Sequence, residues 1–457
     1  MEVPVKKNKE YLVEIIDQGF EGEGIAKIEG FTIFIEGAIK GEKCRILIVK
    51  VTSSHAFGKL VEILEKSKYR VEPDCATYKR CGGCNLRHID YEETLNIKQN
   101  TVQNLVNKTL NNKIKVEMTV GMGNPYNYRN KAQYPVGFDK SGEPVMGVYA
   151  KRTHEIIPMR NCMIQNPVSE KIANVVLGFF IKNNIQIYNE KNGEGLLRHI
   201  VIKVGIKTHE IMCILVLNKK ELKKEKELIK VLIREFPEIK TIVKNYNMKN
   251  TNVILGNENE VIYGDGYIYD ELGDYTFKIS PLSFYQINPI QTEALYNIAI
   301  EMADLKKTDT LFDLYCGIGT IGIFASPYVN RVYGIEIVKQ AIEDAKENAN
   351  INNIRNIEFF AGDVEKVFEN VLKEHNVKPD VIFVDPPRKG LDKHTIENIL
   401  NIKPEKIVYI SCNPASLVRD LKLLEESYEI KKIQPVDMFP FTSNVECCAV
   451  MELKNSL

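Results

Sequence analysis

Thr310-Leu311-Phe312-Asp313-Leu314-Tyr315-Cys316-Gly317-Ile318-Gly319-Thr320 runs from an apolar strand, through a turn with two glycines, into a helix beginning near Ile321. A strand that breaks at glycines and continues as a helix is the opening unit of a βα-wound sheet. Working outward, the alternation repeats. Residues 331–336, 356–360, 380–384 and 407–410 read as short buried strands separated by helical stretches. From about residue 284 onward the pattern predicts a doubly wound parallel sheet. Such sheets bind ligands beyond the carboxyl ends of their strands, near the reversal of strand order. Those ends are where chemistry is expected.

Gly317 and Gly319 let the backbone approach a ligand closely. Glu336 closes the second strand, where a carboxylate can accept two hydrogen bonds from ribose hydroxyls. This spacing is shared by dinucleotide enzymes and S-adenosylmethionine enzymes. Gly362-Asp363 and Asp385-Pro386-Pro387-Arg388 follow at later strand ends. Ser411-Cys412-Asn413-Pro414 then puts a thiol where the 407–410 strand opens into a loop, with Glu446 downstream. The set suits covalent methyl transfer to a pyrimidine. The C5 carbon of uracil is a poor nucleophile. A thiolate adding at C6 makes an enolate that can attack a methyl sulfonium, after which a base removes the C5 proton and the thiol leaves. One cysteine, one carboxylate and a bound methyl donor suffice, and Cys412 and Glu446 fit the first two roles.

Upstream, residues 8–64 alternate in the strand manner, with turns at glycines 19, 22, 24, 30, 37 and 41. Short strands at this spacing predict a small barrel, either nucleic-acid-binding or a plain packing module. Cys75-x5-Cys81-x2-Cys84 follows, with Cys162 far downstream, and Gly82-Gly83 allows a tight turn. Four thiolates suit a structural zinc or an iron–sulfur cluster, and spacing leaves both open. Tyr91, Leu95, Lys98, Val102, Leu105, Val106 and Thr109 then mark one mostly apolar helix face. Residues 116–280 return to strands, with helices near 168–182 and 219–234, and Ser280-Pro281-Leu282-Ser283 reads as a junction.

A chain of 457 residues, 27% charged and 44% hydrophobic, is expected to be a soluble protein of two or three domains. Its formal net charge is zero, so nucleic-acid binding must rest on local patches. No apolar run reaches membrane-spanning length, and no signal-peptide pattern follows Met1–Lys7. A cytoplasmic, reducing location is therefore expected. There, grouped cysteines indicate metal or catalysis rather than disulfides. Cys44, Cys213, Cys316, Cys447 and Cys448 read as small buried residues.

The cofactor turn, Asp385–Gly390, Ser411–Pro414 and Phe441-Thr442-Ser443-Asn444-Val445-Glu446 together resemble the RNA (uracil-5-)-methyltransferases, over nearly the whole chain. The resemblance implies three domains: an oligonucleotide-binding-like TRAM β-barrel at 1–66, a central α+β domain with the cysteine cluster at 67–283, and a Rossmann-like α/β methyltransferase domain at 284–457. It places a helix within 88–119 on the catalytic domain. It makes Cys412 the nucleophile and Glu446 the proton acceptor, and assigns Gln286, Tyr315, Glu336 and Asp385 to S-adenosyl-L-methionine. Cys75, Cys81, Cys84 and Cys162 become ligands of a [4Fe-4S] cluster, structural rather than redox. Thr320 stands where some relatives carry Asn. Basic and aromatic residues near the cluster, Tyr78, Lys79, Arg80, Arg87 and Tyr128-Arg129-Asn130-Lys131, suggest an RNA surface. The expected substrate is 23S ribosomal RNA, free or partly assembled, with the transfer-RNA T-loop uridine as the alternative. No obligatory protein partner is implied. A non-catalytic RNA-binding protein with an iron–sulfur cluster is the rival of another class, and the intact Cys412 and Glu446 argue against it. N6-adenine enzymes place an aromatic where Arg388 stands, and cytosine-C5 enzymes place their thiol after Pro or Thr rather than Ser411.

Overall fold

The computed structural model describes residues 3–111 and 114–454. The outermost residues of the first and last expected domains, and positions 112–113 of the 88–119 stretch, lie outside the described residues. The first unit contains β1 (Glu10–Glu14), β2 (Asp17–Gln18), β3 (Gly24–Ile28), β4 (Phe31–Glu36), β5 (Lys43–Val51) and β6 (His55–Glu65), in the order β1-β5-β6-β4-β3-β2. One bent segment supplies both ends of this sheet, β1 pairing with β5 and β2 with β3. The sheet thereby wraps around Val13, Ile15, Ala26, Ile33, Ile35, Ile46 and Ile48, the inward half of each alternating strand.

After α1 (Tyr91–Thr109) comes a mixed sheet of β7 (Lys131–Phe138), β8 (Pro144–Tyr149), β9 (Ile156–Pro158), β10 (Leu197–Val204), β11 (Ile211–Leu217), β12 (Ile239–Tyr246) and β13 (Glu258–Tyr263). Helices α2 (Pro167–Lys182) and α3 (Glu225–Glu235) pack with one face. The other face sends Val201, Met212, Ile214 and Val243 into a core shared with the hairpin β14 (Ile268–Leu272) and β15 (Tyr275–Ile279) and with α4 (Pro289–Ala303). Covered on both sides, β10 and β11 are buried along their whole length, and β11 reads as a continuous apolar run rather than an alternation. The 268–279 hairpin thus packs on the catalytic unit rather than the central sheet alone.

The catalytic unit follows as β16 (Thr310–Leu314), α5 (Thr320–Ala325), β17 (Arg331–Glu336), α6 (Lys339–Ile351), β18 (Ile357–Ala361), α7 (Val364–His375), β19 (Val381–Val384), α8 (Lys393–Ile402), β20 (Lys406–Ser411), α9 (Pro414–Leu424), β21 (Tyr428–Val436) and β22 (Glu446–Leu453). Strand order is β18-β17-β16-β19-β20-β22-β21. The first five strands are parallel and β21 runs with them, but β22, between β20 and β21, is antiparallel to both, which corrects the expected parallel sheet. An apolar run reports burial and not direction. The reversal of strand order lies between β16 and β19. Helix α1 joins this unit, with Val102 and Val106 in one core with Leu417, Leu421 and Ile433. No described helix is long and apolar enough to cross a membrane.

Candidate active site

The turn after β16 is built for close approach. Gly319 has φ +79°, and a Cβ there would meet the Phe359 ring at 2.7 Å, while the side of Gly317 is open. Gly322 completes a G-x-G-x-x-G spacing with Gly317 and Gly319. Its N–H donates to Asp313 Oδ2 at 3.0 Å, and a Cβ would strike that carboxyl, so the helix lies tight on the strand. Tyr315 is in the left-handed region at φ +68° and donates its hydroxyl to Asp392 Oδ2 at 3.3 Å. The Glu336 carboxylate accepts the N–H of Gly317 at 3.3 Å and of Val338 at 2.9 Å, fixing it beside the turn. Thr320 Oγ1 lies 2.9 Å from the Tyr296 hydroxyl. Gln286 precedes α4; Asn130 donates to its main-chain oxygen at 2.8 Å, and its side chain has no hydrogen bond among the described residues.

On the other side of the reversal, the ladder of β20 and β22 ends at Ser411 opposite Cys447. One residue beyond that pair stand Cys412 on one side and Glu446 on the other, near enough for the Glu446 charge to raise the Cys412 thiol. Asp385 leaves β19 next to them, its N–H on Leu314 O at 3.3 Å. The sequence motif has a local logic. Asn413 caps α9 through Ala415 N–H at 3.1 Å and holds Arg388 O at 2.9 Å, while Pro414 fills the first helical position. Cys412 therefore sits just before a helix N-terminus with Arg388 beside it.

Electrostatics set the protonation states. Burial pushes Glu446 up to about 8, helped by the charge of Asp385 and opposed by Arg388. Desolvation takes Asp385 up to about 7. Desolvation, then Asp385, takes Asp313 up to about 8. Three carboxyl groups pressed together this way favour a cation among them. Burial and Glu446 raise the Cys412 thiol, and Arg388 pulls it back. Arg388, read in the sequence only as a motif occupant, is thus the cation of the site. Cys447 and Cys448 are fully buried in β22 with thiols driven upward by burial, so they stay protonated.

The four cluster cysteines come together at a different place. Cys75, Cys81, Cys84 and Cys162 line one cavity of about 210 Å³, with Arg87, Arg129 and Lys131 in its walls and no carboxylate among the lining residues. Among the described residues no three His, Cys, Asp or Glu side chains are arranged to hold a metal ion. A zinc ion would draw four sulfurs to about 2.3 Å from one centre; these thiols instead border a larger common space. Burial raises Cys81 and Cys162 and takes Cys84 up to about 12. Of the neighbouring basic and aromatic residues, Lys79 and Arg80 are exposed and Tyr78, Arg129 and Lys131 half-buried. Arg87, Tyr128 and Asn130 are buried: Arg87 pairs with Asp74 and stacks on Phe441 at 4.3 Å, and Tyr128 donates to Pro440 O at 3.2 Å.

Comparisons with known proteins agree with this layout. Residues 239–454 match the family model described as tRNA (Uracil-5-)-methyltransferase, and residues 4–61 match the TRAM domain. An uncharacterized RNA methyltransferase of Clostridium tetani is 46% identical, covering 98% of both chains. One of Oceanobacillus iheyensis is 45% identical, over 99% of this chain and 98% of that protein. The solved structure of Pyrococcus abyssi tRNA (uracil-54, C5)-methyltransferase, in complex with S-adenosyl-L-homocysteine, superposes with a TM-score of 0.78 at 25% identity, covering 97% of this chain and all of that one. With relatives this similar along their full length, the chain belongs to the TRAM-bearing RNA (uracil-5-)-methyltransferase family and is an RNA methyltransferase.

Proposed function

We propose that the protein transfers the methyl group of S-adenosyl-L-methionine to C5 of a uridine in 23S ribosomal RNA, in the cytoplasm, through a covalent Cys412–C6 adduct. The observation that carries this is the placement of Cys412 and Glu446 one residue beyond the last β20–β22 pair, at the carboxyl end of β20. The thiolate of Cys412 adds to C6, and the enolate so formed takes the methyl group from the sulfonium. Glu446 then accepts the C5 proton, C5=C6 re-forms, and the C6–S bond breaks to return the thiolate. Tyr315, Glu336, Asp385 and Gln286 would hold the cofactor, whose positive sulfonium would favour the charged forms of the buried carboxyl groups. Bound, it supplies the methyl group. Cys412→Ala is expected to abolish methylation while RNA and cofactor binding persist. RNA carrying 5-fluorouridine, which has no C5 proton to lose, is expected to trap the protein at Cys412. A trapped Cys447 or Cys448 would refute the assignment.

The cysteine cavity suits a [4Fe-4S] cluster: four thiols border one cavity, and its cationic walls suit an anionic cluster. The role is structural, because methyl transfer from a sulfonium moves no net electron.

RNA contact is supported on the barrel. Phe34, His55 and Phe57 touch across β4 and β6, with ring centroids 5.1–5.9 Å apart, and Lys50 lies 5.7 Å over Phe57. Lys27 and Lys59 extend the same outward face, while Glu36 on it is neutralised by Lys151. Aromatic faces flanked by lysines suit stacked bases of single-stranded RNA, in keeping with an oligonucleotide-binding barrel. The ribosomal target follows from pairing a TRAM barrel with four cluster cysteines, the architecture of the ribosomal enzymes this sequence resembles. The Pyrococcus structure, named for transfer RNA and matched over its whole length, favours the second reading. Side-by-side methylation of protein-free 23S RNA and unmodified transfer-RNA transcripts decides between them. Preference for the T-loop uridine would overturn the ribosomal assignment.

A further inference from the structure

The loop that delivers Glu446 to the site, residues 437–445, is held by the cysteine loop. Asn85, next to Cys84, grips Ser443 from both sides: its Oδ1 accepts the Ser443 N–H at 2.8 Å and its Nδ2 donates to Ser443 Oγ at 2.9 Å. The same Nδ2 donates to the main-chain oxygen of Glu21 in the barrel. Leu86 N–H donates to Phe441 O at 3.0 Å. Phe441 is a bulky residue at φ +64°, a conformation that persists only when its surroundings impose it. Here they do. Arg87 lies over its ring, and it packs with Met122, Tyr128 and Ile164, against which Cys84 and Cys162 also pack.

We infer that Asn85 is a positioning residue for proton removal, its clamp on Ser443 fixing the loop and so the aim of the Glu446 carboxylate at C5. The inference rests on the reading of Glu446 as the base. In that step the C5–H bond breaks, the proton passes to the Glu446 carboxylate, its electron pair forms C5=C6, and the C6–S bond releases Cys412 as thiolate. Addition of Cys412 and methyl transfer precede it and use β20 and the glycine turn, which Asn85 does not touch. Loosening the clamp therefore slows release and spares trapping. A merely structural role would slow both alike.

The test compares Asn85→Ala, Asn85→Asp and Ser443→Ala in the full chain, on whichever RNA the wild-type protein methylates. Asn85→Ala lowers turnover about tenfold with KM for RNA within about twofold, and a methylated, denaturant-stable protein–RNA adduct accumulates. Its trapping by 5-fluorouridine RNA stays within about twofold of wild type. Asn85→Asp, which keeps the acceptor for Ser443 N–H, restores turnover to within about threefold. Ser443→Ala, which keeps that same bond, loses about threefold and decides the matter if Asn85→Ala does not fold. Equal losses in trapping and release, or release at the wild-type rate in both Asn85→Ala and Ser443→Ala, overturn the assignment. Glu446→Gln run in parallel separates the two readings. If it accumulates methylated adduct and the clamp variants do not, only the clamp falls; if it does not, both fall.

Discussion

Glu446 occupies the first residue of β22, and its burial decides how it works. A carboxylate at an ordinary pKa would be a weak base for a carbon acid. In the proposed mechanism, one pushed up to about 8 is matched to taking the C5 proton near neutral pH, at the cost of being mostly protonated there. The sign follows directly: only the deprotonated form accepts the C5 proton, so resolution of the adduct speeds up as pH rises and levels off above about 8. Below that it falls about tenfold per pH unit. The Cys412 thiol, also raised, adds a dependence of the same sign to the addition step. Glu446→Gln is expected to accumulate the methylated protein–RNA adduct and to remove the pH dependence of its resolution while leaving that of 5-fluorouridine trapping. Rapid-quench measurements from pH 6 to 9 check both; an adduct that resolves at the wild-type rate would take Glu446 out of the step. Arg388 belongs to this scale as well. It is exposed and lies in a loop, so nothing in its sequence neighbourhood announced that it stands over the thiol.

Among the elements, α1 is the one whose sequence position and place in the fold differ most. Its apolar face was legible from residue spacing, and Leu95, Val102 and Val106 are buried as that spacing implies. Its partner was not legible from spacing, because an amphipathic stripe says that a face is covered and not by what; only the family resemblance placed it on the catalytic unit, where it packs. Lys98, on that stripe, is buried against Asp437, and the pair also holds Phe439 O at 3.1 Å and the Tyr91 hydroxyl at 2.8 Å. This ties the helix to the start of the Glu446 loop. Lys98→Met leaves Asp437 buried without its cation and should cost about 3–5 kcal/mol, whereas Lys98→Met with Asp437→Leu should recover much of it. Denaturant unfolding of the three proteins measures this. Equal stability of the single and double variants would show that the pair contributes no coupling. The parallel strands were legible for a local reason, since each is a short apolar run, and β17, β18 and β19 end at Glu336, Gly362 and Asp385. The β21–β22 return was not, because direction is fixed by partners distant in sequence. For the same reason the register that brings Cys412 and Glu446 to the same end of the β20–β22 ladder appears only once those strands are paired.

At the scale of the whole molecule, the active site lies in one unit while the groups that steady it come from all three. The barrel contributes Glu21 to the Asn85 joint, and Lys151 of the central unit reaches Glu36 of the barrel. A cluster at Cys75, Cys81, Cys84 and Cys162 would set the shape of this junction. Protein purified without oxygen is expected to be brown, with near-equal iron and sulfide, and Cys81→Ser or Cys162→Ser to bleach it; colourless protein with stoichiometric zinc would refute the cluster. The barrel's contribution to RNA affinity is separable from this support. Phe34 and Phe57 sit on the outward face of β4 and β6, away from the core residues Ile33 and Ile35, so truncating them removes stacking surface without opening the barrel. Stacking of a base on an aromatic side chain is worth about 1–3 kcal/mol by alanine substitution. Phe57→Ala is therefore expected to weaken RNA binding by about tenfold, within the range that figure allows, while Cys412 trapping at saturating RNA and cofactor affinity stay unchanged. Lys50→Ala should weaken binding more uniformly and reduce the slope of log affinity against log salt by about one. Filter binding across a salt series reads both effects. Unchanged affinity in Phe57→Ala and in Phe34→Ala would mean that the RNA passes the barrel on another face.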